Sequence, residues 1–461
     1  MVWRTVVKIK KYKDDINMEA FDIAGLLKKK ILEKGADDVI ISINDNHSSQ
    51  IKFSNNKINV TTNWESVNLG IFLSLKKKIA VTSVRDFEIK DIGKYADNLV
   101  RFAKTLQPNE EYQGIAEGPF KYKEIEEGYD KKISSLDEKS IDYVRKGINK
   151  ALELGVKRTA GIFQISTDNS FILTSNNVEA AEKSTHSYFS LRALMEKDAS
   201  GHMVAVSRIL DKLDIEGAAE TAVLTAKESM NPKEGNSGKF DIVFSQLAFA
   251  NILDSLSRAF SIFSVESGLS CLENKLNKKI ASNNVNLYDD GTLKNGFNSM
   301  KFDDEGVPSQ KNVLIKEGIL KTYLHNTSTA KRYNTRTTSS AGLIDPEPSN
   351  IVLEKGDFKK EEIISSVKKG ILITNLWYTR FQNYNTGEFS TIPRDGAFYI
   401  ENGKIKCPLK NIRISDNILN IMGNIEKIGN NPVQIKGWEV DINIVTPYAL
   451  VKDLNISKPL E

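Results

Sequence analysis

Apolar positions recur at helical spacing over residues 18–34, where Phe21, Ile23, Ala24, Leu27, Ile31 and Leu32 share one face and Gly35 supplies a stop. The period then shortens. Residues 39–44 and 50–53 alternate as strands, which predicts a turn over Asp45–Ser49. A further strand pair is expected at 57–62 and 66–84, folding back near Lys76–Lys78. Helical spacing returns from Ile89 to Leu106 and stops before Pro108. Residues 107–135 are charged and irregular, as a linker or wandering arm would be, and a helix is expected at 136–155.

The same succession then repeats. Ile51-Lys52-Phe53-Ser54-Asn55-Asn56 is echoed by Ile172-Leu173-Thr174-Ser175-Asn176-Asn177, and Val81-Thr82-Ser83-Val84-Arg85 by Val204-Ala205-Val206-Ser207-Arg208. Asp91-Ile92 is echoed by Asp214-Ile215, again at an offset of about 120 residues, too long for a solenoid repeat. Two diverged strands-then-helix units, about 39–108 and 160–232, would share one antiparallel sheet.

The turn-rich run Asn231-Pro232-Lys233-Glu234-Gly235-Asn236-Ser237-Gly238 marks a boundary. It separates an N-terminal α+β domain (1–232) from a second domain (239–461). The second opens with a helix at 245–263, striped by Phe249, Ile252, Leu253, Leu256, Phe260 and Phe263. Short strands dominate after 284, with helices near 359–369 and 416–425. Glu317-Gly318 and Asn402-Gly403 are hairpin turns. The predicted fold class is α+β, with a mostly β second domain.

Composition narrows the function classes. The chain has 461 residues, 40% hydrophobic and 27% charged, which is that of a globular protein with sizeable cores. A net charge of +4 without a basic stripe gives no drive toward nucleic acid. Two cysteines, Cys271 and Cys407, in so long a chain suit a reducing compartment rather than a disulfide framework. Met1 to Lys13 lacks the apolar core of a secretion signal, and no run approaches membrane-spanning length, so a cytoplasmic location is expected.

The candidate chemistry centres on Asp303-Asp304-Glu305-Gly306-Val307-Pro308, at the end of a predicted hairpin. Three acidic residues before a glycine suggest a hard-cation site, but the alternate ligand spacing of calcium loops is missing, and such residues on a turn commonly cap and stay solvated. His325 follows shortly after and is the histidine best placed to join them. His47, in the predicted turn, and His202, beside Gly201, are expected to face solvent. His186 has Glu182 and Glu179 upstream at helical spacing, in a region the duplication makes strand. Asp254 and Arg258 stand at the spacing of a surface ion pair. Cys407 reads as a small buried hydrophobe. No nucleophile elbow or phosphate-binding glycine loop occurs.

Phe302-Asp303-Asp304-Glu305-Gly306-Val307-Pro308-Ser309-Gln310, followed by Leu314-Ile315-Lys316-Glu317-Gly318-Ile319-Leu320, resembles the central signature of the TldD/PmbA family of metalloproteases. Tyr288-Asp289-Asp290-Gly291-Thr292, Asn350 to Gly356, Gly396 to Ile405 and Asn411 to Leu419 fall in the family's order. The resemblance implies that a catalytic member carries His-Glu-x-x-x-His on the helix opening the C-terminal domain, with a cysteine near the chain's end. Two imidazoles hold Zn²⁺ there, and the glutamate takes a proton from bound water. The corresponding helix here reads Asn251-Ile252-Leu253-Asp254-Ser255-Leu256-Ser257-Arg258-Ala259-Phe260, without a histidine, and no cysteine lies between Gly429 and Glu461.

The chain is therefore similar to the sister type, called TldE or PmbA. That implies a non-catalytic subunit with no catalytic, cofactor-binding or metal-binding residue of its own. It would pair with a zinc-bearing TldD-like subunit to cleave small or unfolded peptides, or form a homodimer when alone. Two alternatives stay open. One is a self-sufficient metal-dependent hydrolase using Asp303, Asp304, Glu305 and His325. The other is a regulatory protein without enzymatic activity.

Overall fold

The computed structural model describes residues 15–136, 138–196, 199–342 and 344–458. The reading of residues 1–13 lies outside them. Helix α1 (Asp15–Leu32) precedes three strands, β1 (Asp38–Ser54), β2 (Lys57–Leu75) and β3 (Lys78–Arg85), and helix α2 (Ile92–Thr105). After the irregular arm, α3 (Ser140–Glu153), β4 (Arg158–Thr174), β5 (Glu179–Glu196), β6 (Ala199–Ser207) and α4 (Ile215–Glu228) repeat the succession. The strand order β3-β2-β1-β4-β5-β6 is symmetric about the β1–β4 pair, so the two units share one antiparallel sheet.

Alternation decides its two faces. Ile41 and Ile43 of β1 bury against Leu27 and Ile31 of α1 and against α2. Phe163, Phe189 and Leu191 bury against α3 and α4. Leu27 and Ile31 are wholly enclosed, so either truncated to alanine is expected to cost about 2–5 kcal/mol. The opposite face receives the second half of the chain.

β1 corrects the predicted turn at Asp45–Ser49: it is one strand, paired on both sides, with His47 opposite Glu65 and Thr167. The polar run does not break it because its neighbours satisfy it. Asn46 Nδ2 donates to Asp168 Oδ1 at 2.6 Å, and Gln50 Nε2 to Gln164 Oε1 at 3.0 Å. The strands predicted at 57–62 and 66–84 divide differently: β2 runs unbroken from Lys57 to Leu75, and the turn at Lys76 and Lys77, whose φ values are +50° and +61°, leads into β3.

The second half opens with β7 (Gly238–Phe244) and helix α5 (Gln246–Ser257). Ser245 caps α5, accepting the Ala248 N–H at 3.3 Å. The helix ends earlier than its apolar stripe predicts. A short 3-10 turn follows, Ser261 is extended, and Phe263 is left 46% exposed. Two sheets enclose α5. One is six-stranded and includes β8 (Leu287–Asp290), β9 (Lys311–Lys316), β10 (Asn350–Leu353), β11 (Val433–Gly437) and β12 (Val440–Thr446). The other is ten-stranded and edged by the strand Leu376–Asn383. Both hairpin turns read from the sequence are present, with positive φ at Glu317, Gly318, Asn402 and Gly403. Among the described residues no helix is long and apolar enough to cross a membrane.

Candidate functional site

Three regions carry the chemistry-bearing residues. The first is the acidic loop, and it is not solvated. Phe302 and Pro308 bridge across it, and Phe302 packs into the sheet face beside Ile40, Phe72, Ile172 and Val178. Asp303 and Glu305 are buried, while Asp304 alone faces out. Asp303 Oδ1 accepts the N–H groups of Glu305 and Val307 at 3.0 and 2.9 Å, and Oδ2 accepts Ala341 N–H at 3.0 Å. Glu305 Oε2 accepts Thr327 N–H at 3.1 Å. Gly306, at φ +78°, lies so close to the sheet that a Cβ would stand 2.3 Å from Val178 Cγ1. Burial and the Glu305 charge push the Asp303 carboxyl well up, against its three N–H donors. Burial raises Glu305 to about 7, against Thr327. The loop acts as a latch between the two halves of the molecule.

His325 does not join these carboxylates. Its N–H donates to Thr338 Oγ1, and its Nδ1 lies 3.3 Å from Thr329 Oγ1. Burial lowers its pKa to about 4, with Arg332 adding to the effect. The hydrolase constellation of Asp303, Asp304, Glu305 and His325 is thus not assembled. Asp289 is similarly consumed, its Oδ1 accepting Ser349 Oγ and the N–H groups of Ser349 and Asn350.

The second region is helix α5. Asn251 Nδ2 donates to the Glu439 carbonyl at 2.8 Å, and its Oδ1 accepts the Thr379 hydroxyl at 2.5 Å. Asp254 is not the surface partner of Arg258. Its Oδ1 accepts Ile442 N–H at 2.7 Å and burial raises it to about 6, while Arg258 reaches Asp441 at 3.3 Å. These side chains tie α5 to the β11–β12 hairpin and to the edge strand. They include no imidazole, and among the described residues no three His, Cys, Asp or Glu are arranged to hold a metal ion. A zinc ion does not fit the side chains that this helix presents. Cys407 is half-buried on a strand rather than enclosed, and Cys271 is buried, its thiol pushed up to about 11 by desolvation.

The third region was not legible as a unit. Even-numbered positions of β1, β4 and β5 put polar side chains on the sheet face turned toward the second half. A cavity of about 190 Å³ opens there, lined by Gln164, Ser166, His186, Tyr188, Phe297 and Asn298. Asp168 Oδ2 accepts Ser166 Oγ at 3.0 Å and lies 3.2 Å from His186 Nδ1. Burial pushes the Asp168 carboxyl up, but His186, Asn46 and Ser166 outweigh it and hold the group below its ordinary range. Phe297 tilts onto the His186 ring at 4.9 Å. Glu182, proposed with His186 on spacing, faces Arg208 at 3.7 Å and accepts Lys301 N–H instead. His202 is not solvent-facing. It lies 2.9 Å from Ser190 Oγ, and burial lowers its pKa to about 4. His47 is exposed, but from mid-strand.

Polar side chains in period-two register across two repeat units were the available signal for this cavity. Such a face can hold peptide groups by hydrogen bonds from Gln164, Ser166 and Asn298.

Residues 128–230 match the PmbA/TldA metallopeptidase central domain and residues 237–458 the C-terminal domain of the same description. A metalloprotease of Methanocaldococcus jannaschii is 33% identical over 201 residues, 41% of this chain and 43% of that protein. The chain thus spans less than half the length of that relative. A metalloprotease PmbA homolog of Buchnera aphidicola is 24% identical over 387 residues, 78% of this chain and 82% of that protein. TldE from Thermococcus kodakarensis shares the fold, with a TM-score of 0.85 at 22% identity over 94% of this chain and 100% of that one. With two consecutive domain matches, the ordered signature pieces and the shared fold, the chain belongs to the PmbA/TldD family of metallopeptidases.

Proposed function

We propose that this chain is the non-catalytic subunit of a heteromeric peptidase, acting beside a metal-bearing relative on small or unfolded peptides. The observation that carries the reading is helix α5. Its polar groups, Asn251 and Asp254, are engaged by Glu439, Thr379 and Ile442, and no histidine stands on it. A hydrolytic site needs two imidazoles there and a free carboxylate beside them. The zinc of the assembly would then reside in the partner. This chain would contribute walls, with the polar sheet face and its cavity offering hydrogen bonds to extended peptide. Asp303 and Glu305 hold the walls together rather than activate water.

The test is co-expression with a family member that carries His-Glu-x-x-x-His, followed by sizing and peptide cleavage. The reading expects a stable heteromer that cleaves unfolded peptide, with activity lost when the partner's glutamate is replaced by glutamine. Separate elution of the two chains, or cleavage unchanged by omitting this chain, would refute it.

A further inference from the structure

Four of the exposed large apolar side chains of the second half stand near one helix. Trp438 is 86% exposed, Ile344 69%, Tyr378 50% and Trp377 39%. Trp438 tips the turn between β11 and β12, next to Glu439, whose carbonyl is held by Asn251. The other end of the Asn251 amide accepts the hydroxyl of Thr379, which adjoins Tyr378. Arg258 pairs with Asp441, and its charge is also felt by Glu347, close after Ile344, whose carboxyl burial and Asp345 nevertheless push above its ordinary value. The four apolar groups therefore ring the outer side of α5 and the turn that follows it. Arg394 lies 4.5 Å over the Trp377 ring, and Arg380 4.4 Å over Tyr378.

Three features say what covers this surface. Trp, Tyr and Arg are the residues that dominate protein-binding energetics. By exposure, the four apolar side chains offer on the order of 500 Å², more than half of the ~800 Å² that each partner gives a stable interface. The rim carries both signs, Arg258 and Lys436 beside Asp441 and Glu439, which suits a folded protein; an anionic membrane or nucleic acid selects one sign. The edge strand Leu376–Asn383 does not invite an added peptide strand. Its register shifts twice, and Tyr378 sits at φ +60°, so regular ladder groups are lacking.

We propose that this aromatic–arginine surface around α5 is where the metal-bearing relative docks, with Trp438 as the central anchor. The inference rests on the heteromeric reading above and adds the place of contact. The partner covers the outside of the helix on which, in the metal-bearing type, the metal ligands would stand.

The experiment measures association of the co-purified subunits by analytical ultracentrifugation, using wild type, Trp438→Ser and Trp377→Ser/Tyr378→Ser. Leu224→Ser, on the exposed side of α4 in the other half, serves as control. Because the substituted side chains are exposed, melting temperatures are expected to stay within a few degrees of wild type. The expected result is association weakened about 100-fold or more by Trp438→Ser, and unchanged by Leu224→Ser. If wild type and Trp438→Ser bind the partner equally tightly, the surface is wrongly placed while the heteromeric reading stands. If wild type binds no partner, both fail. If Trp438→Ser instead dissolves a homodimer without affecting partner binding, the surface belongs to self-association and the proposal is overturned.

Discussion

The loop Asp303–Gly306 and the row Ser166–Asp168–His186 both place carboxylates on the face between the halves. They behave oppositely. In the loop, the Asp303 and Glu305 carboxylates accept backbone N–H groups of the second half itself, from Glu305, Val307, Thr327 and Ala341. In the row, the carboxylate is tied by side chains that themselves border a cavity. Acidic residues adjacent in sequence thus mark a latch. A carboxylate joined to polar side chains by strand pairing borders the space where a ligand would fit.

Removing the latch should have the largest effect. Asp303→Ala deletes the acceptor for three buried N–H groups and is expected to destabilise the protein by about 3 kcal/mol or more. Urea unfolding checks this, and Asp303→Asn, which keeps one acceptor, should recover part of the loss.

The second effect is pH-dependent. Glu305 has its folded pKa raised to about 7 from an ordinary 4.5. The folded state therefore holds a proton that the unfolded chain releases. Its contribution to stability is complete below about pH 4.5 and is lost as pH rises through about 7. His202 and His325, lowered by burial, act in the opposite sense, so wild type alone would blur the signal. The difference in stability between wild type and Glu305→Gln removes their contribution. That difference should shift against wild type by roughly 2–3 kcal/mol between pH 5 and pH 8. A flat difference would mean that Glu305 is ionised throughout.

The smallest effect belongs to the cavity. His186→Ala should cost about 1 kcal/mol or less, because Asp168 keeps Asn46 and Ser166 as donors. In the assembled peptidase it should instead raise KM for peptide with kcat little changed, as loss of a wall contact would. Destabilisation as large as that of Asp303→Ala would erase the contrast between latch and cavity.

Much of the fold was legible because its signals are local. Gly35 and Pro108 bound helices where the apolar period says they should, and the echo of Ile51–Asn56 in Ile172–Asn177 announced the shared sheet. Asn402-Gly403 could turn only as a tight hairpin. What failed depended on partners far along the chain. Asn46 and Ser48 read as turn residues until Asp168 and Ser166 stand beside them in β4. Asp303 reads as solvated until Phe302 and Gly306 press its loop onto Val178. Asp254 and Arg258 have pairing spacing, but Ile442 and Asp441 claim them separately. The absence of histidine on α5 needed no structure, whereas the engagement of Asn251 and Asp254 did.

The non-catalytic role is tested by the zinc content and peptidase activity of this chain purified alone, assayed again with its metal-bearing relative. A non-catalytic subunit should carry no stoichiometric zinc and cleave nothing in isolation, with cleavage appearing in the mixture. One tightly bound zinc per chain, together with cleavage by the chain alone, would contradict it.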